Sequence, residues 1–180
     1  MTASASSCAS CCLFALALLA AAAPATSAAA EKETHLRVYW HDVMSGPNPT
    51  AVQVAQAATS NASATDFGAV FVIDDALTEG PSLGGSRLVG RAQGVYVSAG
   101  RDSMSLLMAM SFVFVDGAYN GSSIAIVGPN QAAMAVREMP VVGGTGVFRF
   151  ARGYCQARTY TFDAKTGDAT VEYNVYLRHH

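Results

Sequence analysis

From residue 31 onward, apolar and polar side chains alternate with a period of two, and no other feature of the sequence limits the fold so strongly. In the segment Ala169 to Leu177, Val171, Tyr173, Val175 and Leu177 fall on one face. Thr170, Glu172, Asn174, Tyr176 and Arg178 fall on the other. This is the pattern of a strand with one dry and one wet side. Leu36 to Asp42 repeats it, with Leu36, Val38, Trp40 and Asp42 on a shared face, and Gly68 to Ile73 forms a β-rich run ending at Asp74-Asp75. Further strands are expected over Arg91 to Ser98, Ile124 to Val127, Val147 to Ala157 and Arg158 to Phe162. The last of these is joined to Ala169–Leu177 by the turn Asp163 to Asp168. Ser105 to Val115 fits a buried helix by periodicity, but its Phe and Val content and the flanking Asp116-Gly117 and Asn120-Gly121 turn signals favour a strand. Ala51 to Ala58 reads either as a short helix or as a loop.

Seven or eight short strands without a convincing long helix predict an antiparallel barrel or sandwich. Closure removes exposed sheet edges, and about eight strands enclose an interior large enough for one small ligand. An eight-stranded antiparallel barrel is therefore the expected all-β fold, formed by a single domain over residues 31–180.

Residues 1–30 have a different composition. The first charged residue is Glu31; the apolar run Cys12 to Ala23 has the length of a secretory core, and small residues follow at Ala25, Ser27, Ala28 and Ala29. This predicts a signal peptide that is removed, although it lacks the usual basic start. Three of the four cysteines, Cys8, Cys11 and Cys12, lie in that leader, so the mature chain keeps only Cys155, expected to be a small buried hydrophobe. Asn61-Ala62-Ser63 and Asn120-Gly121-Ser122 are glycosylation sequons and fit a secreted protein. A net charge of −2 with acids and bases interspersed offers no footprint for nucleic acid or an anionic membrane.

Several chemistries lack their residues. His35, His41, His179 and His180 do not have metal-ligand spacing, so no metal site is expected. Gly143-Gly144-Thr145-Gly146 has no following Lys-Ser/Thr and fits a bend or bulge between strands better than a phosphate loop. What remains is a set of polar groups on apolar or small faces. Asp42 continues the face of Leu36, Val38 and Trp40; Tyr96 shares its face with Ala92, Gly94 and Ser98; Arg137 precedes Glu138-Met139-Pro140. These three are candidates for chemistry in a cavity. Equally, Asp42 can cap a turn, Tyr96 can pack, and Arg137 can pair with Glu138 at the surface.

The segment Arg137 to Tyr154, REMPVVGGTGVFRFARGY, resembles the signature of plant dirigent proteins. His41-Asp42 with Ser45 to Thr50, Asp74 to Thr78, Gly90 to Tyr96 and Thr166 to Tyr176 are similar to the same family, in order, over nearly all of the mature chain. The resemblance implies an eight-stranded barrel, a homo-oligomer of two or three copies, secretion to the apoplast, and no cofactor. It also implies a role in directing how phenoxy radicals, made from monolignols such as coniferyl alcohol by a laccase or peroxidase, couple stereoselectively. By motif, Asp42, Tyr96 and Arg137 become the catalytic candidates, and Asp75, Arg91 and Asn130 the substrate-binding ones. Lignan-forming members carry an acid where this chain has Asn130, and an amide cannot transfer a proton at neutral pH. Two other functions stay open: a dehydratase that closes an isoflavonoid ring through a quinone methide, and a non-catalytic wall or defence protein that binds phenolics or glycans.

Overall fold

A computed structural model describes residues 30–180; the expected leader and its three cysteines lie outside these residues. Among the described residues nine strands form: β1 (Lys32–Asp42), β2 (Ala51–Ala55), β3 (Val70–Thr78), β4 (Leu88–Ser98), β5 (Ser105–Phe114), β6 (Ser123–Gln131), β7 (Arg137–Thr145), β8 (Arg152–Phe162) and β9 (Ala169–His179). All pairings are antiparallel, in the order β1-β9-β8-β7-β6-β5-β4-β3. β1 closes the ring on β3 by pairing Tyr39 to His41 with Thr78 to Ala76. Eight strands thus make a closed barrel. β2 lies outside the ring, beside the first half of β3, pairing Ala51 with Ile73 and Val52 with Val72.

Alternation determines which side chains point inward. Val171, Tyr173, Val175 and Leu177 of β9 are buried in the lumen, with Leu36, Val38 and Trp40 of β1 beside them. Met108, Met110, Phe112 and Phe114 of β5 also face inward, each 4% exposed or less, so they fill the middle of the barrel. One end is plugged by aromatic rings. Phe148 lies 5.7 Å from Phe114, 4.9 Å from Tyr119 and 5.2 Å from His179, ring centre to ring centre. The opposite end, where β1, β5 and β9 meet the chain at Asp42, Ser105 and Ala169, is the open one, with a pocket beside Asp42, and it holds the buried side chains of Asp42, Asp75, Asn130 and Arg137.

Three segments differ from the sequence expectation. Ala51–Ala55 is a strand and neither a helix nor a loop, because β3 offers an unpaired edge beyond the point where β1 leaves it. The strand expected from Val147 begins only at Arg152, because Gly146–Phe148 forms a 3-10 turn that turns Phe148 into the plug, and it runs on without a break through Arg158 to Phe162, which was expected to be a separate strand, because β9 pairs along its whole length. Gly143 and Gly144 belong to β7 itself, a strand the pattern did not predict, at the place where its register with β6 shifts. A Cβ on Gly144 would lie 2.7 Å from Ser123 O, so glycine is needed there for strand approach. Ser105–Phe114 is a strand, as its composition indicated.

Candidate functional site

Asp42, Asp75, Tyr96, Asn130 and Arg137 come from five strands, and all turn into the open half of the barrel. None is more than 7% exposed. In β3 the alternation that sends Asp75 inward sends its neighbour Asp74 outward. Arg91 follows Asp74, donating from Nε to Asp74 Oδ1 at 2.5 Å on the outer wall. It does not join the other candidates. Asn61 and Asn120 are exposed, in surface turns.

The two inward carboxyls have different surroundings. Asp75 accepts from Trp40 Nε1 at 2.7 Å and from Thr50 Oγ1 at 2.5 Å. Burial nevertheless dominates and raises its pKa to about 8, with the charge of Asp42 adding to the rise. Asp42 is less well served: its Oδ1 is buried with no hydrogen-bond partner. Burial raises its pKa to about 7, against a smaller lowering by the Tyr96 hydroxyl. That hydroxyl has its donor geometry toward Met44 Sδ, 3.8 Å away, so it is a weakly held donor between a thioether and a carboxyl. Burial, then the charges of Asp42 and Asp75, raises the Tyr96 pKa, so the phenol stays neutral. Its ring stacks on Phe71 at 4.8 Å.

Arg137 lies across the lumen. Its Nε donates to Asn130 Oδ1 at 3.1 Å and its Nη1 to Thr159 Oγ1 at 2.9 Å. Among the described residues no carboxylate pairs with it, Glu138 included, and burial lowers its pKa. A buried guanidinium held only by neutral partners keeps its full charge available to a ligand oxygen. Asn130 thus holds one edge of the Arg137 guanidinium.

The loop between β1 and β2 covers this end. Asp168, in the turn just before β9, accepts from Met44 N at 2.8 Å, Ser45 N at 3.0 Å and Ser45 Oγ at 2.6 Å, and so fixes Met44 against Tyr96. Beside it a pocket of about 290 Å³ opens, lined by His41, Asp42, Leu83, Phe162 and Thr170 among others. A larger concavity of about 550 Å³ lies on the outer wall over His35, Tyr154 and Tyr176. The smaller one reaches an ionisable group with a perturbed pKa, and for chemistry that weighs more than size. Among the described residues no cluster of three His, Cys, Asp or Glu side chains could hold a metal ion. Cys155 is a free, buried thiol whose pKa burial raises to about 12.

A family model described as "Dirigent-like protein" matches residues 33–178, from the start of β1 to the end of β9. The chain belongs to the dirigent family. It is 56% identical to Dirigent protein 23 of Arabidopsis thaliana over 149 residues, covering 83% of this chain and 79% of that one. It is 48% identical to Pterocarpan synthase 1 of Glycine max over 151 residues, covering 83% of this chain and 81% of that one. A solved pterocarpan synthase dirigent protein superposes with a TM-score of 0.77 at 48% identity, covering 83% of this chain and 89% of the other.

Three lumen residues of this dirigent barrel escaped the sequence reading: Thr50, Thr159 and Tyr173. Thr50 lies in a loop and its contact with Asp75 is not local. Tyr173 was read as part of a dry face. The signal that could have singled it out is the hydroxyl it brings to an otherwise aliphatic row of Val171, Val175 and Leu177.

Proposed function

We propose that this dirigent-family protein is an acid catalyst that dehydrates a phenolic benzylic alcohol to a quinone methide and closes a ring on it. The observation that carries the reading is the orphaned Oδ1 of Asp42, on a carboxyl with a pKa raised to about 7, beside a pocket at the open end of the barrel. A carboxylic acid poised near neutrality can give up a proton within a bound complex and recover it. Protonated Asp42 donates to the benzylic hydroxyl, the C–O bond breaks and water leaves. The substrate's phenolic O–H yields its proton to the Asp42 carboxylate, restoring the acid and leaving the quinone methide. A second hydroxyl of the substrate then attacks the methide carbon, and its proton ends on the former quinone oxygen. One water is lost and nothing is oxidised. In this reading Tyr96, further inside the barrel than the pocket, donates to the developing oxygen, and Arg137 stabilises negative charge as the phenol ionises. The 48% identity to pterocarpan synthases supports this choice.

The other reading is stereoselective coupling of phenoxy radicals supplied by a laccase or peroxidase. Met108, Met110 and Phe112 fill the middle of the barrel and leave planar radicals only its open end, and Asn130 in place of an acid counts against the lignan-forming version. Incubating the purified protein with an ortho-hydroxybenzylic alcohol that carries a second phenol, with and without laccase, separates the two. Ring-closed product lacking one water in the absence of oxidant is expected. Product that appears only with laccase would transfer the assignment to coupling.

We also place the protein outside the cell as a glycosylated homo-oligomer. The composition of residues 1–30 and the exposure of Asn61 and Asn120 support secretion and glycosylation. Apolar rows across the outer wall support assembly: Val52, Val72, Val95 and Ala109 lie side by side across β2 to β5, and Val70, Val97, Leu107 and Pro129 across β3 to β6. Val52, Val72, Leu107 and Val127 are all exposed on this wall. Contiguous apolar surface of this kind marks association sites.

A further inference from the structure

Two buried polar atoms in the barrel have no hydrogen-bond partner: Asp42 Oδ1, already given a role, and the hydroxyl of Tyr173. Tyr173 is fully buried, and its ring is fixed by edge-on contacts with Trp40 at 6.2 Å and Phe112 at 5.3 Å. The ring is therefore fully accounted for by packing; the hydroxyl is not. An unsatisfied buried hydroxyl is unfavourable, and phenylalanine would fill the same space without that cost. Its surroundings point to a ligand. Across β8, Tyr173 pairs with Ala157, which pairs with Arg137, so the only side chain between the phenol and the guanidinium in that row is a methyl group. Arg137 is the buried cation with no carboxylate, and it lies close enough to Tyr173, as do Asp42 and Asp75, to act on the phenol electrostatically.

We propose that Tyr173 is a specificity-determining residue of this site, its hydroxyl donating to an oxygen of a phenolic substrate on the Arg137 side of the lumen, while Asp42 engages a second oxygen from the facing wall. The inference rests on the reading of the lumen as a phenol site. It defines the substrate class further: an aromatic molecule with oxygens at both ends, one met by donors only and one by a carboxyl. Burial raises the Tyr173 pKa, so the group acts as a neutral donor throughout.

The test is binding, which needs no turnover. Calorimetric affinities are measured for a naphthalenediol with hydroxyls at opposite ends and for naphthol, which has one, on wild type and on Tyr173→Phe. Wild type should prefer the diol by about 3- to 10-fold, the worth of one hydrogen bond, and Tyr173→Phe should bring that ratio to near unity while naphthol binding holds. The melting temperature of the ligand-free variant should equal or exceed that of wild type, because the lost hydroxyl had no partner. An unchanged ratio, or a variant that melts lower, overturns the role of Tyr173 alone. Wild type that binds neither probe overturns the phenol site and the inference with it.

Discussion

At Asp75, hydrogen bonding and burial pull in opposite directions, and burial wins. Trp40 and Thr50 both donate to its carboxyl, yet its pKa is raised to about 8, and that of Asp42 to about 7. In the unfolded chain both groups ionise near pH 4. Between that value and the raised ones the folded protein holds protons that the unfolded chain has released, so stability is greatest in acid and falls as the pH rises toward 8. Each carboxyl contributes a slope of up to roughly 1.4 kcal/mol per pH unit in this window. Urea unfolding of wild type should show this fall between about pH 5 and 8, and Asp75→Asn should flatten much of it; an identical slope in the variant would show that Asp75 ionises freely in the fold. The legibility of the site also varies residue by residue. Asp42 and Tyr96 could be seen in the sequence because each interrupts an apolar or small face, while Arg137, on a strand that was not predicted, owes its role to the motif it begins. Arg91 came with a motif, but its register opposite Ala76 places it on the outer wall with Asp74. Thr159 was hidden because its role depends on Arg137, a partner 22 positions away.

Among the elements, β9 was the most readable and β7 the least, for opposite reasons. β9 keeps strict alternation through Val171, Tyr173, Val175 and Leu177, because one side meets the lumen along its whole length. β7 carries Pro140, Gly143 and Gly144 within nine residues, which disguises a strand whose inward residues, Arg137, Met139 and Val141, still alternate. Pro140 is tolerated there because the ladder to β6 is already interrupted by the register shift. In β4 the small residue beside Tyr96 does more than leave room. Gly94 has φ +153°, and a Cβ on it would lie 2.3 Å from Ala109 O, so this position lets β4 and β5 approach. The mouth loop could not be foreseen, because the carboxylate that ties down Met44 and Ser45 is supplied by Asp168 from another hairpin.

For the whole molecule, closure follows from β1 being shared between β3 and β9, pairings of residues nearly forty and well over one hundred positions apart that no local pattern reveals. The all-β barrel was legible, but the expected count of seven or eight strands divided β8 in two and passed over β7, and β2 was not foreseen because it exists only where β3 has an edge to offer. The outer rows of valine and leucine make a prediction at this scale. Light scattering on the mature protein should give a multiple of the protomer mass, and Val72→Lys, which places a charge in the middle of the row, should shift it to the monomer. A wild-type monomer at every concentration, or an oligomer indifferent to the substitution, would remove this wall as the interface. The central claim, that a protonated Asp42 in a closed barrel supplies the acid, is tested most directly by the pH profile of kcat/KM in the oxidant-free dehydration assay. Wild-type activity should fall as the pH rises through about 7, and Asp42→Asn, folded and still binding naphthol, should lose turnover by at least about 100-fold. A variant that keeps the wild-type rate, or a wild-type rate that climbs with pH across that range, would contradict the account.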